Sequence, residues 1–417
     1  MRHTTISLTI IAACATGIAT IAAMASSVGA SGPSPVVSAP AAQHSASHTT
    51  SAARTAAAQK AAAKAAAAAK AAAAAKAAAA NAAARRWHPK PVFKPQLTGL
   101  LNRTGVPPAV DRPALSGYDI QGTRDAKGLP DVGDVSWAEL QPTQGGPIAT
   151  NNAIDLAIAD VRAWNTANPT HHEGLKLRVE AGIHSPAWAL NLGGACFIVT
   201  DPTSGTVGCC PRFWTAEFSA AYYQFEAELA AKYDAVPEIR EVVMAKNTTI
   251  YNESLIRQTQ SASTVAALTA AGYTSAVDEQ EQISDLASLG AYWKHTDVAF
   301  AFNPYQTANP NTQDVAFTEL LITSGRTALH NHLVIENNSL RQTYLSGNGD
   351  YQSMYAFMTS TGGPIGFQTA TILKVGSIQA VVNGAKSMGA TSLELPTGYT
   401  SQFTPAQLMT LGTSFSA

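Results

Sequence analysis

From about residue 115 to its end, the chain repeats one unit, in which a short apolar run ends on polar or acidic residues and a helical stretch follows. The eight apolar runs are Gly117–Gln121, Asp134–Gln141, Leu175–Gly182, Ile239–Lys246, Asp297–Asn303, His332–Asn338, Ile365–Thr369 and Ser392–Pro396. Strands that alternate with helices favour βαβ units and a parallel sheet. Eight units predict an α/β fold of the closed (β/α)8 TIM-barrel type, in which catalytic residues lie at the carboxyl ends of the strands.

The helical stretches between these runs have apolar residues at helical spacing. Helices are predicted over 153–164, Ala216–Tyr233, Thr264–Ala271, Val277–Trp293 and Pro405–Leu411. The loop Gly122–Gly133 has no room for a full helix, and the segment Leu97–Pro113 has no clear periodicity, so we predict that it leads into the barrel. An open doubly wound sheet is less well supported, because no glycine-rich phosphate motif follows the first run.

The N-terminus is predicted to lie outside the barrel. Met1-Arg2-His3 is a short cationic head, Ile6–Ala25 is apolar without a charge, and Val28-Gly29-Ala30 supplies small residues for cleavage. This layout predicts a secretory signal peptide over 1–30 and therefore a secreted protein. The apolar run approaches the length of a membrane helix, and Ile11-Ala12-Ala13-Cys14 is similar to a lipoprotein box. An uncleaved membrane anchor and lipidation are therefore alternatives.

Residues 31–90 form a low-complexity Ala/Ser/Lys linker ahead of the predicted barrel domain at 91–417. Its Ala runs contain four lysines spread over 17 residues, and Ala/Lys sequences are typical of semi-rigid spacers. We interpret the linker as a stalk that holds the domain off a surface. Adhesion of its lysines to an anionic cell-wall polymer is the alternative.

The charge is divided unevenly between the linker and the predicted domain. Of the 27 basic residues in the chain, nine lie in 1–90, where there is no acidic residue. The other 18 stand against 28 acidic residues, so residues 91–417 have a net charge of −10. An acidic domain without a basic stripe argues against nucleic-acid binding.

Three cysteines follow the signal region, namely Cys196, Cys209 and Cys210. In an exported chain we expect a disulfide from Cys196 to Cys209 or Cys210, with one cysteine left over. The spacing lacks the second Cys or His pair of a zinc site.

Three segments resemble those of a known group of enzymes. Ser136–Pro142 is similar to the end of strand 2, Gly182–Trp188 to the exit of strand 3, and Phe213–Pro237 to the helix before strand 4. The group is the secreted (β/α)8-barrel glycoside hydrolases, in the broad clan that includes the barrel β-galactosidases and endoglycanases. The likeness spans most of residues 115–400. It implies a carbohydrate substrate and two catalytic carboxyl groups at the strand ends.

The resemblance assigns the general acid/base to a Glu that follows Asn just past strand 4. Asn252-Glu253 matches that pair. Glycoside hydrolysis needs a carboxylic acid to protonate the departing oxygen, and a Glu at a barrel strand end can have its pKa raised enough to do so near neutrality. We therefore predict Glu253 as catalytic, with a solvated loop residue as the alternative.

The second carboxylate is not where the resemblance implies. The clan has its nucleophile at the end of strand 7, where this chain has Gln368, which cannot act as a nucleophilic carboxylate. Glu336 and Glu394 directly follow apolar strand residues, where a carboxylate costs free energy unless it is paired. We predict Glu336 as the catalytic partner of Glu253, because around the barrel strand 6 is closer to strand 4 than strand 8 is. The alternative is a structural network inside the barrel with Arg178 or Lys246.

Polar and aromatic residues at other strand ends suit a sugar ligand. The predicted substrate-binding residues are Asp119, Trp137, Glu139, His184, Trp188, Asn252, Tyr305, Asn337, Gln368 and Glu394. Each could instead belong to the core. His330-Asn331-His332 opens strand 6 at the opposite, stability face, which argues against a metal site there. Because the sequence contains no HExxH, Walker or G-x-S-x-G motif, we expect neither metal nor cofactor.

The sequence therefore predicts a secreted glycoside hydrolase that cleaves O-glycosidic bonds of a polysaccharide or oligosaccharide by carboxylate acid/base chemistry. A catalytically inactive carbohydrate-binding barrel displayed at the cell surface is the alternative, and Gln368 favours it. A purely structural surface protein is a third possibility, opposed by the many polar groups that end the strands. Fold alone does not decide among these functions.

Overall fold

The structure is a computed structural model that describes residues 93–120, 135–244, 246–347 and 349–416. The predicted signal peptide and linker at 1–90, and the loop Gly122–Gly133, lie outside the described residues. No helix among the described residues is long and apolar enough to span a membrane.

Eight parallel strands close a barrel, which confirms the predicted (β/α)8 fold. We number them in chain order, which is also their order around the barrel: β1 (Gly99–Asn102), β2 (Gly117–Asp119), β3 (Gly174–Glu180), β4 (Ile239–Met244), β5 (Asp297–Ala301), β6 (Leu333–Leu340), β7 (Ile365–Thr369) and β8 (Ser392–Leu395). The ring is closed because β1 pairs with β8 on one side and with β2 on the other. All the strands run in the same direction, so their carboxyl ends meet at one mouth of the barrel.

The first strands differ from the prediction. The segment predicted to lead into the barrel contains β1, so the run at 117–121 supplies the second strand. The run Asp134–Gln141 was wrongly predicted as a barrel strand. Only Val135–Ser136 is extended, where it pairs with the end of β3, and Trp137–Leu140 forms one helical turn. The number of strands stays at eight because one strand was missed and another was counted in excess.

Ser136 explains why the chain turns into a helix at this point. Its side chain accepts a hydrogen bond from the backbone N–H of Glu139, and the Glu139 carboxylate accepts one from the backbone N–H of Ser136. This reciprocal capping box satisfies two N–H groups that a helix start would otherwise leave unpaired. The turn therefore begins where extension as a strand was predicted.

Eight longer helices cover the described barrel: α1 (Ala153–Ala167), α2 (Ala216–Tyr233), α3 (Ala262–Ala270), α4 (Ser275–Tyr292), α5 (Val315–Leu329), α6 (Gly349–Thr361), α7 (Ile378–Ser387) and α8 (Pro405–Ser416). The predicted helices are thus confirmed, with ends shifted by a few residues. The connection without a helix lies between β1 and β2, where the described chain has only the 3-10 turn Arg112–Ala114. The sequence had instead predicted that the connection without a helix is the loop Gly122–Gly133, after the run at 117–121.

A hairpin and a disulfide extend the connection between β3 and α2. The strands Phe197–Thr200 and Val207–Cys210 pair antiparallel, and Cys196 is joined to Cys209. The predicted disulfide from Cys196 is confirmed, and Cys210 is the cysteine left over, as a buried free thiol.

Candidate active site

Two cations on β3 lie inside the barrel. Lys176 and Arg178 are two residues apart on one strand, so both side chains point to the same side of it. The Lys176 Nζ atom lies 2.8 Å from Glu241, 2.5 Å from Glu336 and 2.7 Å from Glu394. Both cations are almost completely buried. These contacts provide the anionic partners that a buried ammonium group needs.

Arg178 extends this network to β2, and Glu394 extends it to β7. Its Nε donates to Asp119 over 2.9 Å, and its Nη2 donates to Glu336 over 3.0 Å and to Glu394 over 2.6 Å. The Gln368 amide donates to the other oxygen of Glu394 over 2.7 Å. Four of the predicted site residues are therefore brought together within the barrel, bound to Arg178 or to one another.

Lys246 takes no part in the hydrogen bonds and ion pairs observed for this network among the described residues. Its Nζ lies 2.7 Å from Glu281 of α4 and 3.0 Å from Ser219 of α2, outside the barrel wall. Of the two cations considered from the sequence, only Arg178 is in the network, and Lys176 was missed.

Two carboxyl groups of the network have pKa values shifted in opposite directions. Burial opposes ionisation of Glu394, but Arg178 and Lys176 outweigh burial and hold its pKa well below the usual range. Burial raises the pKa of Glu241 from 4.5 to about 7, although Lys176 opposes the shift. Glu241 is therefore protonated at a much higher pH than Glu394.

Glu241→Gln is expected to flatten the dependence of folding stability on pH. A carboxyl group whose pKa is raised on folding contributes stability that is complete below its unfolded pKa and is lost as the pH rises through its folded pKa. For Glu241 that window runs from 4.5 to about 7. Urea unfolding across this window should show the variant gaining relative to wild type as the pH rises. A difference that stays constant with pH would contradict the assignment.

Glu253 lies on the loop that follows β4. The adjacent Asn252 ties this loop to the end of β3, because its Nδ2 donates to the carbonyl of Val179 over 3.2 Å. Asn303, just past β5, donates its Nδ2 to Glu253 Oε1 over 3.3 Å. These two contacts hold the predicted acid at the carboxyl-end mouth of the barrel.

The surroundings of Glu253 favour its neutral form. Burial raises the pKa of Glu253, and the negative charge of Glu336 raises it further. The hydrogen bond from Asn303 and the positive charges of Arg103 and Arg178 act in the opposite direction without cancelling the rise. Glu253 therefore keeps its proton to a higher pH than a solvated Glu.

Asn303 is itself held by a network of amides and phenols. Asn337 donates to Asn303 Oδ1 over 3.1 Å and to the carbonyl of Phe302 over 2.8 Å. Tyr351 also donates to Asn303 Oδ1, over 3.3 Å, and Tyr355 donates to Asn337 Oδ1, over 2.9 Å. Asn337, predicted to bind substrate, thus uses its amide to position Asn303.

Trp137 and Tyr305, also predicted to bind substrate, are fully buried. Trp137 stacks on Phe225 with ring centroids 5.2 Å apart and packs edge-on against Trp188. The Tyr305 hydroxyl donates to Asp278 over 3.0 Å. Both residues belong to the core of the structure, which was the alternative for each.

Glu139, His184 and Trp188 lie beside the end of β3. The Glu139 carboxylate is used in the capping box, and the half-buried Trp188 donates its indole N–H to the carbonyl of Gln141 over 3.2 Å. His184 is 39% exposed and lies 3.3 Å from Glu180. All three residues are partly exposed.

The sequence predictions missed Lys176, Arg103 and Tyr351. A signal for Lys176 was present, because charges at 176, 178 and 180 alternate with apolar residues along a strand that is otherwise buried. Arg103 follows β1, and it was not considered because β1 itself was not predicted as a strand. Tyr351 lies on α6, where nothing in the local sequence indicates that its hydroxyl reaches Asn303.

No protein-family model matches the sequence, and no curated protein matches it. Solved structures of similar fold include the catalytic domain of β-amylase from Paenibacillus polymyxa, with 10% identity, a TM-score of 0.45 and coverage of 77% of this chain and 99% of that chain. A β-galactosidase from Marinomonas ef1 has 10% identity and a TM-score of 0.40, covering 71% of this chain and 53% of that one. Endo-glycoceramidase II from Rhodococcus sp. has 12% identity and a TM-score of 0.32, covering 73% and 75%. With similarity this low, the assignment of a function depends on the geometry of the site.

Proposed function

We propose that this barrel is a glycoside hydrolase with Glu253 as its general acid. The observation that carries the proposal is the contrast between carboxyl groups at the site. Burial raises the pKa of Glu253, whereas Arg178 and Lys176 lower the pKa of Glu394 in the network that also holds Glu336. Glycoside hydrolysis uses one protonated and one ionised carboxyl group, and environments that drive two pKa values apart are characteristic of these roles.

Glu336 is the proposed second carboxyl group of the reaction. Its charge raises the pKa of Glu253, so the two groups interact electrostatically. Lys176 and Arg178 both contact Glu336 Oε1, whereas Oε2 has no hydrogen-bond partner among the described residues. We assign that second oxygen to attack on the sugar or to activation of a water molecule, the two roles open to such a carboxylate.

Asn252 is proposed to bind the substrate beside these carboxyl groups. Its Oδ1 is buried and has no hydrogen-bond partner among the described residues. A buried acceptor without a partner costs free energy, and a sugar hydroxyl is a donor that would satisfy it. His184 is the proposed ligand-binding residue on the β3 side of the mouth.

A carbohydrate-binding barrel without catalysis is the second candidate. It is favoured by Gln368 at the end of β7, and by the ion pairs that engage both Glu336 and Glu394. In this case the same mouth binds a sugar and Glu253 serves as a hydrogen-bonding group.

The deciding experiment is a panel of aryl glycosides and polysaccharides, assayed for hydrolysis and, by calorimetry, for binding. Hydrolysis that is lost in Glu253→Gln supports the enzyme. Binding without hydrolysis in the wild-type protein supports the second candidate. Polysaccharide hydrolysis that Glu253→Gln leaves at full rate would falsify the assignment of the acid.

The proposal includes export and presentation on the stalk formed by the linker. The disulfide between Cys196 and Cys209 is compatible with an extracellular protein. The signal peptide and the surface association of the linker are themselves tested by N-terminal sequencing of the exported protein and by cell fractionation.

Arg103→Gln is expected to move the basic limb of the kcat/KM pH profile to higher pH. Arg103 lowers the pKa of Glu253, so its removal should raise that pKa and keep the acid protonated further into the basic range. Because Arg103 is partly exposed and solvent screens its charge, we expect a shift of less than about one pH unit. The basic limb of kcat/KM reports the acid of the free enzyme.

Arg162→Gln is the matched control for this shift. Arg162 lies on α1, is 59% exposed, and pairs with Glu238 before the start of β4, at the far end of the barrel. It should leave the pH profile unchanged. If the basic limb of the profile does not move in Arg103→Gln, that limb does not report the ionisation of Glu253.

A further inference from the structure

A cavity lies beside the network that holds Glu253. Its volume is about 320 Å³, at the lower end of the range for small-molecule sites. The side chains that define it include Thr259, Gln306, Asn311, Gln313, Tyr344 and Tyr351. All of the lining residues are uncharged and carry an amide or a hydroxyl group.

The cavity is connected to the proposed acid through two hydrogen bonds. Tyr351, which lines the cavity, donates to Asn303 Oδ1 over 3.3 Å, and Asn303 donates to Glu253 Oε1 over 3.3 Å. A ligand in this cavity therefore lies against the group that fixes the position of Asn303.

One wall of the cavity is held in place by stacked side chains. The rings of Tyr344 and Tyr351 stack with centroids 4.0 Å apart and planes inclined by 18°. The guanidinium of Arg341 lies 4.3 Å from the centre of the Tyr344 ring. Stacking on both neighbours restricts the rotation of Tyr344, so its hydroxyl is presented at a defined place.

The part of the lining around Gln306 is also held by contacts within the protein. Gln306 Oε1 accepts hydrogen bonds from the backbone N–H groups of Arg257 and Thr259, over 3.0 and 3.4 Å. The backbone of Gln306 pairs with that of Gln313 in a short antiparallel hairpin. Because both parts of the lining are held by contacts within the protein, the cavity is preformed, which lowers the entropic cost of binding.

We propose that this cavity is a subsite for a neutral sugar unit of the carbohydrate substrate. Amides and hydroxyls supply donors and acceptors together, and a sugar hydroxyl is both a donor and an acceptor. The lining residues offer a carboxylate or ammonium group no opposite charge to pair with. The subsite therefore selects neutral sugars over uronic acids and amino sugars. Its place in catalysis rests on the proposed function, but its ability to bind sugar does not.

The experiment introduces a negative charge into the cavity without changing side-chain size. Gln313→Glu and Gln260→Glu each replace an exposed amide of the lining, and Gln379→Glu on α7 is the matched control. Binding is measured by calorimetry in the Glu253→Gln background, so that nothing is hydrolysed. The probes are short neutral oligosaccharides of glucan, galactan, mannan and xylan, with an oligogalacturonide as the acidic probe.

A neutral probe is expected to bind, and each cavity variant is expected to weaken its binding about tenfold, which corresponds to about 1.4 kcal/mol. The control should bind as before, and the oligogalacturonide should bind more weakly than the neutral probes. Equal affinity in the cavity variants, preference for the acidic probe, or no binding of any neutral probe would overturn the subsite. Failure of the hydrolase proposal gives a different result. If the wild-type protein hydrolyses nothing, it can still bind a neutral sugar, and Gln313→Glu can still weaken that binding.

Discussion

Glu253→Gln is expected to lower kcat by about 10²–10⁴-fold on substrates whose leaving group needs a proton, with little change in the melting temperature. Glutamine keeps the size of the side chain and an oxygen that can accept the hydrogen bond from Asn303, but it has no acidic proton to give. Because burial raises the pKa of Glu253, the substitution replaces a group that already favours its neutral form. Steady-state kinetics and thermal unfolding of the same preparation test both parts.

The size of this loss should depend on the leaving group. A dinitrophenolate departs without protonation, so aryl glycosides of this kind should lose far less activity than a polysaccharide does. Glu217→Gln is the control, because Glu217 is an exposed acid in the first turn of α2, and it should behave as wild type. An equal loss on every substrate would assign Glu253 a role in binding or positioning in place of proton donation.

The closed barrel could be predicted because burial imposes an apolar pattern on every long strand. In β3 every second residue is apolar, at Leu175, Leu177 and Val179, and in β5 the apolar run is continuous from Val298 to Ala301. The four residues of β1 are too few to show this pattern. The sequence Ser136-Trp-Ala-Glu139 did contain the capping-box spacing, and reading it would have turned the second predicted strand into a helix start.

Position at a strand end predicted which residues lie at the mouth, but not how each one is used. Glu253 and Asn252 lie on the mouth loop as expected, whereas Trp137 and Tyr305 lie in the core. An aromatic residue beside a strand end can lie either at the mouth or in the core. The side chains that it contacts decide which of the two it occupies. The partners of Tyr305 include Asp278, 27 residues earlier in the chain.

The pairing inside the barrel could not be predicted from local sequence, because it joins strands that are far apart in the chain. Lys176 meets Glu336 at a separation of 160 residues, and Arg178 meets Glu394 at a separation of 216. Each of these residues alone is an unfavourable choice for a buried strand. Only the closed ring brings the opposite charges within contact, so the network follows from the fold as a whole.

Lys176→Met is expected to lower the free energy of unfolding by about 3–5 kcal/mol. Methionine fills a similar volume and removes the charge. Glu241, Glu336 and Glu394 would then remain buried, all within 2.8 Å of the place that the ammonium group occupied. The loss is large because the remaining carboxylates can be neither hydrated nor paired there to the same extent. Urea unfolding at neutral pH measures it.

Lys232→Met separates this effect from the loss of any ion pair. Lys232 is 3.1 Å from Asp155, but both side chains are about 30% exposed, so we expect a loss of about 1 kcal/mol or less.

The deficit of Lys176→Met should also shrink as the pH falls, because carboxyl groups that lose their cation have raised pKa values in the folded state and recover stability on protonation. Adding Glu241→Gln should recover part of the loss at neutral pH, because a carboxyl group whose pKa is raised on folding must take up a proton there. A deficit no larger than that of Lys232→Met, and the same at every pH, would mean that Lys176 does not compensate the buried carboxylates.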